Sequence, residues 1–187
     1  PVRPLPFSSS WDVPWTPWSE RTVDVFCIFG MTQWMRRRAK ETTEAVCARF
    51  PGCRVLSALG HALPYPEYLK TLARSKIVID QQSYGTDTVR FWEAISSGAL
   101  CISDFSLETP APQLVPGEHF LRYDNDLSPS GDQQDFSLLA AHLERALADD
   151  REAELLARRG YDAVRNTHTC LARARYVVQE TQAATGK

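Results

Sequence analysis

Two hydrophobic patterns alternate along the chain and predict a repeating order of strands and helices. Short, nearly continuous apolar runs are typical of strands buried on both faces, as in a parallel sheet. These runs predict strands at Val23–Phe29, Arg54–Leu59, Lys76–Asp80 and Leu100–Ser103, and a shorter one at His119–Tyr123. Apolar residues at helical spacing predict helices at Gln33–Phe50, Pro66–Arg74, Val89–Ser97, Phe136–Leu147, Glu152–Val164 and Leu171–Gln182.

Strands that alternate with helices predict an α/β fold. We expect a Rossmann-like, doubly wound parallel sheet with extra helices at the carboxyl end of the chain. In open sheets of this kind, ligands bind beyond the carboxyl ends of the strands. The loops that follow the first and third predicted strands are therefore the candidate ligand-binding loops.

The first 21 residues have a different composition from the rest. They contain five prolines and three tryptophans, which excludes a helix or a central strand there. We interpret residues 1–21 as a linker whose aromatic side chains dock on a neighbouring surface, and residues 22–187 as one domain. A proline-rich recognition tail is the alternative. The first residue is proline rather than methionine, which leaves open that the chain is a piece of a longer protein.

The overall composition narrows the function by exclusion. The 187 residues are 43% hydrophobic and carry a formal net charge of -2, so we expect no nucleic-acid surface. No apolar run approaches the roughly 18 residues of a membrane span, and no signal-peptide pattern is present. The five cysteines include no CxxC pair, which favours a cytoplasmic protein with free thiols and, with the scattered histidines, predicts no zinc site.

The loop Ser83–Thr88 (SYGTDT) has the residues of a phosphate cradle. It leads into a predicted helix, whose first N–H groups are unpaired and whose dipole is positive at that end. Gly85 lets the backbone approach a ligand closely, and Thr86 and Thr88 add hydroxyl donors. The alternative is simple capping of the helix by Asp87 or Thr88. The residues alone do not decide between the two, and the loop is neither a Walker motif nor a GxGxxG fingerprint.

Glu93 is a carboxylate in an otherwise apolar helix segment, VRFWEAIS. Buried carboxylates are rare unless they are paired. A carboxylate at this place could accept hydrogen bonds from the two hydroxyls of a ribose. The alternative is a favourable negative charge near a helix N-terminus.

The loop Gly30–Arg38 (GMTQWMRRR) places three arginines at the start of a helix, where the dipole disfavours cations. An anionic ligand would reverse that penalty, because arginine suits bidentate contact with phosphate. The alternative, which we favour for any single arginine, is that these side chains are solvated or paired with Glu41 or Glu44. No Ser/His/Asp or Cys/His constellation can be assembled, and His168, just before the last helix, is interpreted as structural.

Together these segments resemble the carboxy-terminal half of a GT-B glycosyltransferase, in particular the spore-maturation-type glycosyltransferase-like proteins. The likeness rests on YPEYLKTLARSKIVID, RFWEAISSGALCIS, GEHFLRYDND and the closing RRGYDAVRNTHTCLARARYVV. The early DVFCIFG followed by arginines also matches, and WDVPWTP resembles the interdomain segment that enters this half. The likeness covers roughly residues 10–180.

The resemblance implies that the chain is the donor-binding domain of an enzyme that transfers a sugar from a nucleotide-sugar to an unknown acceptor. It implies no metal or other cofactor, and an N-terminal domain that binds the acceptor. Glu93 would hold the ribose. The other donor-binding residues would be Gly30, Arg36, Arg37, Gly85, Thr86, Asp87, Thr88 and Arg90.

One departure from the family bears on mechanism. Many retaining relatives carry a glutamate eight residues before the one that matches Glu93, and this chain has Gly85 at that place. The retaining mechanism is therefore not supported, and the catalytic residues are not identified. The alternative function is a non-catalytic, glycosyltransferase-like binding or scaffold module.

Overall fold

A computed structural model shows a parallel sheet with helices on both faces. The structure describes residues 13–30, 34–60, 63–82, 88–104, 114–123 and 135–185. Within them the strands are β1 Val23–Phe29, β2 Val55–Leu59, β3 Ser75–Asp80, β4 Leu100–Ser103 and β5 Leu121–Arg122. The helices are α1 Trp34–Cys47, α2 Tyr65–Ala73, α3 Val89–Ser96, α4 Ser137–Ala148, α5 Asp150–Thr167 and α6 Cys170–Thr185.

The order of the strands reverses in the middle of the sheet. The spatial order is β2–β1–β3–β4–β5, and each neighbouring pair is parallel. The chain moves outward from β1 to β2, crosses to β3 on the other side of β1, and then continues outward to β4 and β5. The reversal point therefore lies between β1 and β3, and it is at such a point that open α/β sheets form a crevice beyond the carboxyl ends of the strands.

The sheet separates two hydrophobic cores, because successive strand residues point to opposite faces. One core joins Cys27 and Ile79 to α1, α4 and the first half of α5. The other joins Phe26 and Val78 to α2, α3 and the last part of α5. The predicted doubly wound α/β fold is confirmed, with additional helices at the carboxyl end.

The predicted elements are all present, and their ends differ from the predicted ends by at most three residues. The largest difference in the first half is at α1, which ends at Cys47 rather than at Phe50. The N–H groups of Arg49 and Phe50 donate to carbonyls three residues back, which tightens the chain into a turn. Pro51 follows directly and disfavours helical geometry in the residue before it.

The segment from residue 13 to residue 21 packs at the amino-terminal edge of the sheet. Arg21 is buried there and donates to the carbonyls of Ser75 (2.6 Å) and Ser97 (3.2 Å). Its guanidinium also lies over the rings of Trp15 and Trp18, and burial lowers its pKa to about 10. Trp15 and Trp18 thus pack on Arg21 within the same chain. Residues 1–12 lie outside the described residues, and the interdomain role of this segment stays a prediction.

Gly98 provides a test of this packing. Its φ is +77°, and a Cβ there would lie 2.7 Å from Nη2 of Arg21 and 2.9 Å from the Trp15 ring. We expect Gly98→Ala to lower the free energy of unfolding by about 2–3 kcal/mol, through backbone strain and steric overlap. Gly52→Ala is the matched control, because Gly52 has φ +82° but nothing within 4 Å, and it should cost about 1 kcal/mol. Equal costs in urea unfolding would contradict the packing.

Candidate functional site

A cation lies across the reversal point of the sheet. Arg36 is in the first turn of α1, which follows β1. Its Nη1 lies 3.4 Å from the carbonyl oxygen of Gly30, just after β1, and its Nη2 lies 3.4 Å from the carbonyl oxygen of Gln81, just after β3. The guanidinium therefore spans the ends of the two strands that flank the crevice.

Arg90, in the first turn of α3, brings a second cation to the same place. The Phe29 ring at the end of β1 has the Arg90 guanidinium 4.9 Å from its centroid and the Arg36 guanidinium 5.8 Å from it. Burial, and after it repulsion from Arg90, lower the pKa of Arg36. Nε and Nη1 of Arg90 are buried and have no hydrogen-bond partner among the described residues. Buried donors without partners cost free energy, so this pair of cations is suited to an anion.

Asp80 supplies the counter-charge from the end of β3. It is 1% exposed, and its Oδ2 accepts hydrogen bonds from the hydroxyls of Thr88 (2.8 Å) and Ser103 (2.9 Å). Burial lowers the pKa of Arg90, but its interactions with Tyr68 and Asp80 have the larger combined effect. The pKa of Arg90 is therefore raised. Asp80 is not among the site residues predicted from the sequence, although a charged residue that closes the apolar run KIVID is a recognisable signal.

Hydrogen bonds fix the backbone around the crevice. Asp104, after β4, accepts from the backbone N–H of Gln82 (2.8 Å) and from the side chain of Gln81. The buried hydroxyl of Tyr123 lies 2.9 Å from both the carbonyl oxygen of Asp80 and Oε1 of Gln81. The ends of β3 and β4 are therefore held in place without a ligand.

Thr88 caps the helix that carries Arg90. Its Oγ1 accepts a hydrogen bond from the N–H of Phe91 (3.1 Å) and donates one to Oδ2 of Asp80. The capping alternative raised from the sequence is therefore observed for the Thr88 side chain. Gly85, Thr86 and Asp87 lie outside the described residues, so the phosphate cradle stays a prediction.

Glu93 lies one helical turn after Arg90, and α2 covers it. It is 7% exposed, and the Tyr65 hydroxyl donates to its Oε1 at 2.7 Å. This hydrogen bond raises the pKa of Tyr65 to about 12. The Tyr68 hydroxyl, one turn further along α2, interacts with both Glu93 and Arg90. Neither tyrosine is among the site residues predicted from the sequence, because nothing in the segment YPEYL indicates which helix it will face.

The three arginines of the first loop have different environments. Arg36 enters the crevice, whereas Arg37 is exposed. Arg38 is paired with Glu41 at 3.2 Å on the exposed side of α1. The solvated or paired alternative thus describes Arg38, and the anion-binding alternative has Arg36 as its candidate.

Among the described residues, no group of three or more His, Cys, Asp or Glu is placed to hold a metal ion. None of the described helices has the length and apolar character needed to cross a membrane.

His168 and Arg173 lie together against α3. His168 is 2% exposed, its ring lies 5.1 Å from the Trp92 ring, and its Nδ1 accepts from Nη2 of Arg173 at 2.6 Å. The guanidinium of Arg173 lies 5.7 Å from the centroid of a Trp92 ring. These contacts join the end of α5 and the start of α6 to α3. Burial, and then the charge of Arg173, lower the pKa of His168 to about 4.

The depressed pKa of His168 predicts a loss of stability in mild acid. Between pH 6.5 and about 4 the unfolded state binds a proton at this residue that the native state does not. The free energy of unfolding therefore decreases as the pH is lowered through this window. We expect a loss of up to roughly 3 kcal/mol across this window. His168→Gln keeps an acceptor for Arg173 and removes the titration, so urea unfolding from pH 7 to pH 4.5 should show a flatter profile. An unchanged profile would contradict the assignment.

The fold is that of the carboxy-terminal domain of a glycosyltransferase. The solved C-terminal domain of a group 1 glycosyl transferase family protein from Francisella tularensis superimposes with a TM-score of 0.55 and 13% identity, over 88% of this chain and 96% of that one. The pneumococcal O-GlcNAc transferase GtfA, solved in complex with UDP and GlcNAc, superimposes with a TM-score of 0.53 and 12% identity. That match covers 100% of this chain and 39% of GtfA.

The sequence also identifies the family. Residues 18–179 match the family described as glycosyl transferase-like, and the chain belongs to it. No curated protein matches the sequence. The resemblance to glycosyltransferases is confirmed at the level of family and fold, and the spore-maturation-type group stays a prediction.

Proposed function

We propose that this chain binds a nucleotide-sugar at the reversal point between β1 and β3, as the donor-binding domain of a glycosyltransferase. The observation that carries the proposal is the convergence of Arg36 and Arg90 on the Phe29 ring, with Glu93 one turn beyond Arg90. The family and the fold support the same reaction class. Sugar transfer to an acceptor, whose identity is open, is part of the proposal.

The arginine pair fits the diphosphate of such a donor. Two guanidinium groups at the edge of the sheet repel each other, and a dianion between them would turn that repulsion into attraction. It would also provide acceptors for the buried Nε and Nη1 of Arg90 in charge-assisted hydrogen bonds. The amino-terminal end of α3, with its positive dipole, lies at the same place.

Glu93 fits the ribose that neighbours the diphosphate in a ribonucleoside diphosphate such as UDP, GDP or ADP. Arg90 and Glu93 are three residues apart on α3 and so lie on adjacent positions of one helix face. A largely buried carboxylate is a strong acceptor for the two hydroxyls of a ribose. The order of the two side chains along the helix thus parallels the order of the two groups in the ligand.

The rest of the proposal concerns the whole enzyme. The arginines and the helix dipole would stabilise the charge of the leaving nucleoside diphosphate without a metal ion. GtfA, of which this chain spans 39%, was solved with UDP and GlcNAc, which supports a nucleotide-sugar as donor. An N-terminal domain would bind the acceptor, and a cytoplasmic location remains our expectation.

One observation favours a second candidate, a non-catalytic binding module. Gly85 occupies the place where many retaining relatives have a glutamate. A domain without that carboxylate could keep the nucleotide site for binding alone. Nucleotide binding is common to both candidates if the site is retained, and turnover of a donor separates them.

The proposal is tested by calorimetric titration with UDP, GDP, dTDP and ADP in the absence of metal. We expect one of them to bind saturably, and Glu93→Gln to weaken that binding about tenfold, which corresponds to ~1.4 kcal/mol. Glu154→Gln on α5 is the control, because Glu154 lies beside Trp15 at the opposite edge of the sheet. Absence of binding to all four nucleotides would refute the donor site.

The arginines allow a test that separates neighbouring residues. Arg36→Gln should weaken binding of the nucleoside diphosphate at least tenfold, because Arg36 lies in the crevice. Arg37→Gln removes the same charge from the next, exposed residue and should change the affinity less than about twofold. Titrations of both variants at two salt concentrations would check this, and equal losses would indicate a general effect of net charge.

A further inference from the structure

Tyr65 has an unusual combination of exposure and hydrogen bonding. Its side chain is 60% exposed, yet its hydroxyl donates at 2.7 Å to a carboxylate that is only 7% exposed. The first turn of α2 carries it, and its ring stacks on that of Tyr68, with centroids 6.1 Å apart and an interplanar angle of 19°. Tyr68 in turn packs edge-on against the buried ring of Phe26.

The position of Tyr65 follows from these contacts. Glu93 is largely buried and Tyr65 is largely exposed, so the hydrogen bond between them places the Tyr65 hydroxyl beside the carboxylate at the boundary with solvent. A ligand hydroxyl that approaches Oε1 of Glu93 from solvent meets the Tyr65 hydroxyl there. Both groups are hydroxyl donors, and they would make the same kind of hydrogen bond to the carboxylate.

We propose that Tyr65 is a displaceable gate of the nucleoside site: its hydroxyl occupies Glu93 when the site is empty, and a ribose hydroxyl takes its place when a nucleotide binds. This inference rests on the proposed donor site. It assigns to a residue of α2 a role in setting both the affinity for the ligand and the recognition of the ribose diol.

The physical reason is a competition for one acceptor. Breaking the hydrogen bond from Tyr65 to a charged group costs free energy, and that cost is subtracted from ligand binding. The gate also keeps the buried carboxylate satisfied while the site is empty. It can move at moderate cost, because an exposed side chain at the start of a helix can change rotamer without opening a cavity in the core.

Tyr65→Phe is the central variant, because it keeps the ring and its stacking on Tyr68 and removes only the hydroxyl. We expect it to bind the preferred nucleotide among UDP, GDP and ADP about threefold to tenfold more tightly than the parent chain does. The gain should be smaller for the corresponding 2′-deoxynucleotide, which offers one hydroxyl fewer to the carboxylate. Tyr176→Phe on α6 is the matched control and should leave the affinity unchanged.

A spectroscopic titration tests the gate independently of affinity. With tyrosines labelled with ¹³C, the Cζ resonance that Tyr65→Phe removes reports, at neutral pH, whether the Tyr65 hydroxyl donates to Glu93. Glu93→Gln should shift that resonance, and saturating nucleotide in the parent chain should shift it in the same direction. These shifts report whether the hydroxyl leaves the carboxylate, which a purely structural role would not predict.

The outcomes separate the gate from the donor site. If the parent chain binds a nucleotide, but Tyr65→Phe binds it equally well or more weakly, the gate is wrong and the donor site stands. If the Tyr65 Cζ resonance is unchanged by saturating nucleotide, displacement is likewise overturned. If the parent chain binds none of the three ribonucleotides or dTDP, the proposed function itself fails, and the gate fails with it.

Discussion

The buried charges at the carboxyl edge of the sheet constrain the rest of the site. Asp80 balances the charge of Arg90. It also accepts hydrogen bonds from the hydroxyl of Thr88, which caps α3, and from the hydroxyl of Ser103 at the end of β4. Loss of one partner from such a cluster leaves an uncompensated charge in a poorly solvated place. Asp80 therefore helps to hold the start of α3, and with it Arg90 and Glu93, in place.

The two edges of the sheet use buried cations in different ways. At the amino-terminal edge, the carbonyls of Thr16, Ser75 and Ser97 surround Arg21, so its donors are used within the fold. At the carboxyl edge, two donor atoms of Arg90 have no partner among the described residues. A guanidinium whose three nitrogens all donate hydrogen bonds within the fold stabilises it. A guanidinium with nitrogens that have no acceptor retains the capacity to bind an anion. This contrast supports the assignment of the site to the carboxyl edge.

The sequence identified some members of the site and missed others for physical reasons. Glu93 was recognisable because a carboxylate in an apolar helix segment conflicts with burial unless it has a partner. Asp80 was overlooked because a charged residue at a strand end also fits an ordinary loop. The two tyrosines of α2 could not be assigned to the site from the sequence. Glu93, the partner of Tyr65, lies 28 residues further along the chain, and only the packing of α2 against α3 brings them together.

The sequence by itself determined the order of strands and helices, because hydrophobic periodicity reflects which local conformation can bury its apolar side chains. It also determined that positive charge and a carboxylate would follow particular strands. Only the tertiary structure decided that Arg36, rather than Arg37 or Arg38, reaches Gln81, since successive residues of a helix point in different directions around its axis. The convergence of β1, β3 and α3 at one reversal point depends on strand order, a long-range property that no local segment encodes.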